Sequence, residues 1–204
     1  MKTTTGVSRL KYTLQFMKGV IVNNAVTGAI GPSTRALAEA VTDLAEVRNA
    51  KVIVEYGAGT GVFTEVILEK MPKDALLLAL EVNPEFVRST QERCPRAWVV
   101  EDTAQNARLY LERKGFSHCD TIVSGLPWTR FSEALQDEIL EATYHVLRPG
   151  GLFVTFGYAF SPWIPSGRRF FKGKLLRRFP EVHKVGPIWK NFPPANVYIA
   201  RKKT

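Results

Sequence analysis

Between Lys51 and Thr64 the chain reads K-V-I-V-E-Y-G-A-G-T-G-V-F-T, and the residues there that could do chemistry are closely spaced. Gly57, Gly59 and Gly61 stand at alternate positions, Glu55 lies two positions before the first of them, and Glu81 follows the next apolar run, 75–80. Lys51 to Val54 predict a short buried strand, and an apolar-periodic helix starts near Val62. Strand, glycine turn and helix let a backbone approach a ligand closely and aim helix N–H groups at it. A carboxylate at the end of the following strand is placed where a nucleotide ribose is gripped through its hydroxyls. A dinucleotide fingerprint spaces its glycines G-x-G-x-x-G to receive a pyrophosphate. Here the spacing is G-x-G-x-G, and the charge of Glu55 is awkward for a pyrophosphate. It suits a ligand carrying an ammonium and a sulfonium. The bland alternative is a turn that merely needs positive φ at several residues, and it leaves Glu81 without a role.

That loop resembles the cofactor loop of class I S-adenosylmethionine-dependent methyltransferases. The rest of the chain can be read for the elements that must position it. Its 204 residues suit one domain, 1–204, with a full core. Cys94 and Cys119 match no metal-ligand or redox spacing, so a reducing compartment is the default and no metal is expected. No apolar run approaches the ~20 residues that span a bilayer, and no signal peptide is expected. The net charge of +9 calls for an anionic partner, nucleic acid or an anionic membrane surface, unless it serves only solubility.

Residues 9–24 predict a basic amphipathic helix, with Leu10, Leu14, Met17 and Ile21 on one line and Tyr12 and Phe16 widening it. It either lies in a membrane interface or packs on the domain. Ser33 or Thr34 is expected to cap a helix running to about Val47, with Leu37, Val41 and Leu44 inward. Pro84 opens a helix after Asn83. A third strand, 97–100, ends at Asp102, which in this type of fold receives the adenine amino group or caps the next helix. A fourth strand, 120–124, runs into S-G-L-P-W, Ser124 to Trp128. In adenine and other amino-methyltransferases a polar-x-x-Pro-aromatic stretch sits there, its carbonyls accepting from the substrate amine and its ring stacking on it. The alternative is a proline-terminated strand with a core tryptophan. A helix over 132–147 stops at Pro149-Gly150-Gly151 before a fifth strand. Residues 161–180 bring Arg168, Arg169, Lys172, Lys174, Arg177 and Arg178 with no acid among them, interleaved with Phe170, Phe171, Leu175, Leu176 and Phe179. That predicts an interfacial helix, a phosphate-gripping lid, an RNA-binding surface or a solvated face. A closing β-hairpin, 182–189 and 196–200, ends the chain.

Three stretches together, A-V-T-G-A-I-G-P-S-T-R-A-L-A (25–38), E-Y-G-A-G-T-G-V-F-T with E-V-N-P-E-F (81–86), and K-V-G-P-I-W-K-N-F-P-P-A-N-V-Y (184–198), resemble the small bacterial phospholipid N-methyltransferases. Two departures stand out: Tyr56 replaces a leucine often seen before the loop, and G-P-S-T replaces A-P-S-S. The resemblance implies an α/β, Rossmann-like class I fold: a seven-stranded, mostly parallel sheet with helices on both faces and a membrane-touching N-terminal helix. It implies N-methylation of phosphatidylethanolamine and its monomethyl and dimethyl forms towards phosphatidylcholine. The enzyme would work in the cytoplasm, bound peripherally to the inner face of the membrane, with S-adenosylhomocysteine as product. Ser33, Glu55, Gly57, Gly59, Thr60, Gly61, Glu81, Val82, Asp102, Thr103 and Ser124 would hold the cofactor. Tyr12, Gly125, Leu126 and Trp128 would face the reacting amine. Tyr158 and Trp189 would stabilise the methylated cation through their rings, and Arg168, Arg169 and Lys190 would grip the lipid phosphate. The rivals are an RNA adenine N6-methyltransferase, an N-methyltransferase of another aminolipid such as an ornithine lipid, and a non-catalytic membrane module that retains the fold.

Overall fold

The structure is a computed structural model that describes residues 33–204. The expected helix over 9–24, with Tyr12, lies outside the described residues. Seven strands form one sheet: β1 (Val52–Tyr56), β2 (Leu76–Glu81), β3 (Trp98–Glu101), β4 (Cys119–Ser124), β5 (Leu147–Tyr158), β6 (Glu181–Ile188) and β7 (Ala195–Arg201). Their order is β3-β2-β1-β4-β5-β7-β6, and β7 alone runs antiparallel to its neighbours β5 and β6. This is the sheet the resemblance implies. β1 is buried at all five residues, as a central parallel strand covered on both faces must be. Because β2 pairs on one side of β1 and β4 on the other, the strand order reverses there. A ligand crevice forms at the carboxyl ends of such strands.

One face carries α1 (Arg35–Leu44), α2 (Val62–Lys70) and α3 (Pro84–Arg93). Leu37, Val41, Phe63, Val66 and Ile67 pack there on Ile53, Leu77 and Val154. The other face carries α4 (Ala107–Arg113) and α5 (Glu133–Val146), whose Leu111, Ile139 and Leu140 meet Tyr56, Leu80 and Phe153. Thr34, not Ser33, caps α1: its Oγ1 accepts from the Leu37 N–H at 3.3 Å. α1 stops at Leu44, short of the expected Val47, because Glu46 turns left-handed at φ 54° and a 3-10 turn takes over at Val47–Asn49. Leu44 is consequently only half-buried. α5 ends at Val146, and β5 begins at once. The Pro149-Gly150-Gly151 turn is therefore an irregularity inside the strand, where the register shifts between Cys119 and Thr121, and not a connection before it.

The basic run forms α6 (Pro165–Arg169), a π-helical turn (Phe170–Lys174) and α7 (Leu175–Arg178). Phe170, Phe171, Leu175 and Phe179 are core residues. That corrects the expectation of an interfacial apolar face for these four. The acids missing from the run stand on α5, four residues apart. Glu133 pairs with Arg169 at 2.9 Å, Asp137 with the buried Lys174 at 2.5 Å, and Glu141 with Arg178 at 3.1 Å. Arg178 also lies 3.6 Å over the Tyr144 ring. The segment thus closes the second face of the sheet and brings Ser161, Ile164 and Phe171 to the crevice.

Candidate active site

The crevice is a cavity of about 620 Å³ whose walls come from the β1–α2 turn, the end of β2, the turn after β4, and the end of β5 with the residues following it. Gly57, Gly59 and Gly61 all have positive φ, at 75°, 53° and 83°. The Gly57 N–H donates to the Leu80 carbonyl at 2.8 Å and that of Gly61 to Ala58 at 2.9 Å, which folds the loop tightly. A Cβ at Gly57 would stand 3.2 Å from the Leu126 side chain, whereas one at Gly59 would meet nothing within 4 Å. Gly59 therefore presents bare backbone to open space.

Glu81 has a second task that its spacing alone did not show. Its Oε2 accepts from the Gly59 N–H at 2.9 Å, and its Oε1 accepts from the N–H groups of Val82 at 2.8 Å and Asn83 at 2.9 Å. The carboxylate shapes the glycine loop and lines the cavity. Burial raises its pKa, against the pull of these three amides. The parallel register of Tyr56 on Leu80 brings the strand ends together and makes the tie possible.

Glu55 lies elsewhere. It is 1% exposed, its Oε2 accepts from Thr64 Oγ1 at 2.7 Å, and its Oε1 has no partner among the described residues. Burial pushes its pKa up to about 7; the Thr64 hydrogen bond opposes the shift and the charge of Glu81 adds to it. The side chain sits behind the loop and off the cavity wall, so the direct grip on an ammonium expected of it is not the geometry found. Asp102 is likewise committed locally. Its Oδ1 accepts from the Thr103 N–H at 2.7 Å and from Asn106 Nδ2 at 2.8 Å, and its Oδ2 from the Tyr110 hydroxyl at 2.7 Å. Of the two expectations for Asp102, holding the following turn describes its contacts. Thr103, Val82 and Ser124 are buried without lining the cavity. Ser124 Oγ accepts from the Leu126 N–H at 3.4 Å and steadies the turn from behind.

On the opposite wall Gly125, Leu126 and Pro127 face the glycine loop. The Gly125 N–H donates to the Tyr56 carbonyl at 2.8 Å, which fixes the turn to β1. Trp128 corrects the stacking expectation. The residue is 1% exposed, its ring stacks on Phe170 at 4.3 Å, and its Nε1 donates to Thr155 Oγ1 at 3.0 Å. The indole is an anchor, and the core-tryptophan alternative describes it. Trp128 still lines the cavity, and further aromatic surface comes from Phe156, Tyr158 and Phe160, the last two stacked at 5.7 Å.

Ser33 and Thr60 lie on the wall. Beside Ser33, Thr34 donates through its N–H and its Oγ1 to Asn191 Oδ1, at 3.0 and 3.1 Å. The S-T-R residues 33–35 and the W-K-N-F-P-P stretch therefore meet in space. That contact folds the β6–β7 loop onto the start of α1 and leaves Trp189, 76% exposed, and Lys190 outside the cavity. Arg168 and Arg169 line a separate surface cleft with Lys172 and Arg177. Of the five residues expected to bind substrate, only Tyr158 is on the cavity wall. Arg130, which the sequence reading passed over, is there too.

These walls fit S-adenosylmethionine. They offer bare backbone at Gly59, an inward carboxylate at Glu81 for ribose hydroxyls, and apolar surface from Val62, Phe63 and Phe86. A family model described as a methyltransferase domain matches residues 53–151. The ornithine lipid N-methyltransferase of Singulisphaera acidiphila is 31% identical over 189 residues, covering 91% of this chain and 94% of that protein. The O-methyltransferase from Bacillus cereus, solved with S-adenosylhomocysteine, superposes with a TM-score of 0.66 at 16% identity, covering 93% of this chain and 91% of its own. The O-methyltransferase TomG from Streptomyces achromogenes, solved with S-adenosylmethionine, gives 0.62 at 18% identity, covering 82% and 80%. At those identities the solved structures speak for the fold. With the whole-length relative and the glycine loop, they show that the chain belongs to the class I S-adenosylmethionine-dependent methyltransferase family.

Proposed function

We propose that the protein methylates the amino nitrogen of an aminolipid head group, of the phosphatidylethanolamine or ornithine-lipid type, at an anionic membrane surface. The observation that carries this reading is the turn after β4. No hydrogen bond among the described residues reaches the Gly125 carbonyl, and the Leu126 carbonyl accepts only from the Trp128 N–H, at 3.0 Å. Both residues line the cavity, and we assign the Gly125 carbonyl, with the second lone pair of the Leu126 carbonyl, as acceptors for the N–H groups of an amine. The ornithine lipid N-methyltransferase aligned over nearly its whole length supports the substrate class.

The cofactor supplies a methyl group already activated on a sulfonium. The chain's task is alignment and desolvation. The amine nitrogen needs a free electron pair, so one proton must leave for water before the N–C bond forms and the C–S bond breaks, its electron pair passing to sulfur. Walls from Phe63, Phe86, Phe156 and Ile164 disfavour the ammonium form and so favour that loss. Tyr158 and Phe160 then offer ring faces to the cationic product. Peripheral attachment is supported by the net charge of +9 and by the exposed Trp163, Trp189 and Phe192. No helix among the described residues is long and apolar enough to cross a membrane.

The test is methyl transfer from labelled S-adenosylmethionine to vesicles containing phosphatidylethanolamine or ornithine lipid, with RNA offered in parallel. Label in the lipid fraction is expected. Label in RNA alone would replace the proposal with the nucleic-acid reading.

A further inference from the structure

We infer that Arg130, with the Tyr158 hydroxyl, forms an oxyanion subsite that takes the phosphodiester or carboxylate of the zwitterionic head group and thereby selects the amine to be methylated. The inference rests on the aminolipid reading above and deepens it. Among the described residues only two charged side chains line the cavity, Glu81 and Arg130. Glu81 is tied to the glycine loop, so Arg130 is the cationic side chain that the described walls offer to an anion on the acceptor. Arg35, Arg93, Arg148, Arg169 and Arg178 all pair with carboxylates. Arg130 makes no ion pair among the described residues, although it stands on a well-held turn.

That 3-10 turn, Trp128–Arg130, is pinned from three sides. The Trp128 indole is sunk in the core, Gln136 Nε2 donates to the Trp128 carbonyl at 2.7 Å, and Ser166 Oγ donates to the Thr129 carbonyl at 2.8 Å. Arg130 itself is exposed, and a firmly held backbone beneath it lowers the entropy lost when its side chain binds an anion. Tyr158 reaches the same cavity from the end of β5. Both residues line the one cavity; burial raises the Tyr158 phenol pKa, and the charge of Arg130 opposes that shift. Both are donors, and a guanidinium matches the planar geometry of carboxylate or phosphate oxygens. Arg130 follows the Gly125 and Leu126 carbonyls by a few residues, the first without a hydrogen bond among the described residues and the second accepting only from the Trp128 N–H. The chain thus offers acceptors for an ammonium-derived amine and donors for an oxyanion side by side. A zwitterionic head group carries the same pair a few bonds apart.

The test compares wild type with Arg130→Gln and Tyr158→Phe on three acceptors in neutral vesicles: phosphatidylethanolamine, ornithine lipid and a long-chain alkylamine that lacks an anion. Arg130→Gln is expected to raise KM for at least one zwitterionic lipid about 10- to 100-fold, with kcat little changed and the alkylamine unaffected. Loss on the phosphate lipid alone, or on the carboxylate lipid alone, names the oxyanion recognised. Equal loss on all three acceptors, or on none, overturns the subsite. A second measurement separates this inference from the activity: calorimetric titration of glycerophosphoethanolamine and of ornithine into protein saturated with S-adenosylhomocysteine. Binding of either that weakens at least tenfold in Arg130→Gln supports the subsite, even if no lipid is methylated. Equal affinity in the two proteins, or no binding to wild type, overturns it.

Discussion

At the scale of single residues, two buried glutamates divide one task. Glu81 receives three backbone N–H groups and faces the cavity, while Glu55 stands behind the loop with one oxygen unpartnered. Glu81→Ala strips those amides of their acceptor. It should weaken S-adenosylhomocysteine binding more than tenfold and destabilise the protein by on the order of 3 kcal/mol, measured by calorimetry and denaturant unfolding. Retained affinity with lost stability would leave Glu81 a loop residue only. Glu55 makes a pH-dependent contribution. Its pKa rises from 4.5 to about 7 on folding, so between those values the folded state holds more protons than the unfolded one. Stability should therefore fall as pH rises from about 5 to 7.5, by on the order of 3 kcal/mol. Glu55→Gln should flatten that part of the unfolding profile. Both glutamates were legible in the sequence because their places follow from local spacing along strand, turn and strand. Their partners were not, because the Gly59 tie and the Thr64 hydroxyl depend on how β1, β2 and α2 come together.

Elements explain where the sequence reading misplaced side chains. The strands, the glycine turn and the caps were legible because buried runs, Gly, Pro and Asn at chain reversals are local signals. Trp128 was open between substrate platform and core because Phe170, which covers its ring, arrives from the far end of the chain. The unbalanced charge of 168–178 was real in sequence, yet α5 answers half of it, with Glu133, Asp137 and Glu141 at helical spacing paired to Arg169, Lys174 and Arg178. Arg130 drew no attention because its significance comes from a cavity that β5 completes. Two elements can be tested directly. Trp128→Ala should cost about 3–5 kcal/mol in denaturant unfolding, since it empties a core site and frees the turn that carries Arg130. A mild effect would return the indole to the substrate side. Asn191 is 3% exposed, joins Thr34 to the β6–β7 loop, and its Nδ2 donates to the Pro193 carbonyl at 2.8 Å. Asn191→Ala should lower stability by about 1–3 kcal/mol and weaken cofactor binding through Ser33. Unchanged cofactor affinity would mean that the loop does not shape that wall.

For the whole molecule, the sheet order, the cofactor crevice at the β1 switch point and the whole-length relative make a class I methyltransferase. Overall charge, exposed aromatic residues and Arg130 on the cavity wall support our proposal that its acceptor is an aminolipid. High salt should reduce turnover on vesicles by weakening attachment to anionic lipid, and should leave cofactor affinity unchanged. The most direct measurement is to react carbon-13 methyl-labelled S-adenosylmethionine with aminolipid vesicles and locate the label in the product by NMR. The account predicts a methyl carbon bonded to the head-group nitrogen. A methyl on oxygen, or none on lipid from protein that binds the cofactor, would contradict it.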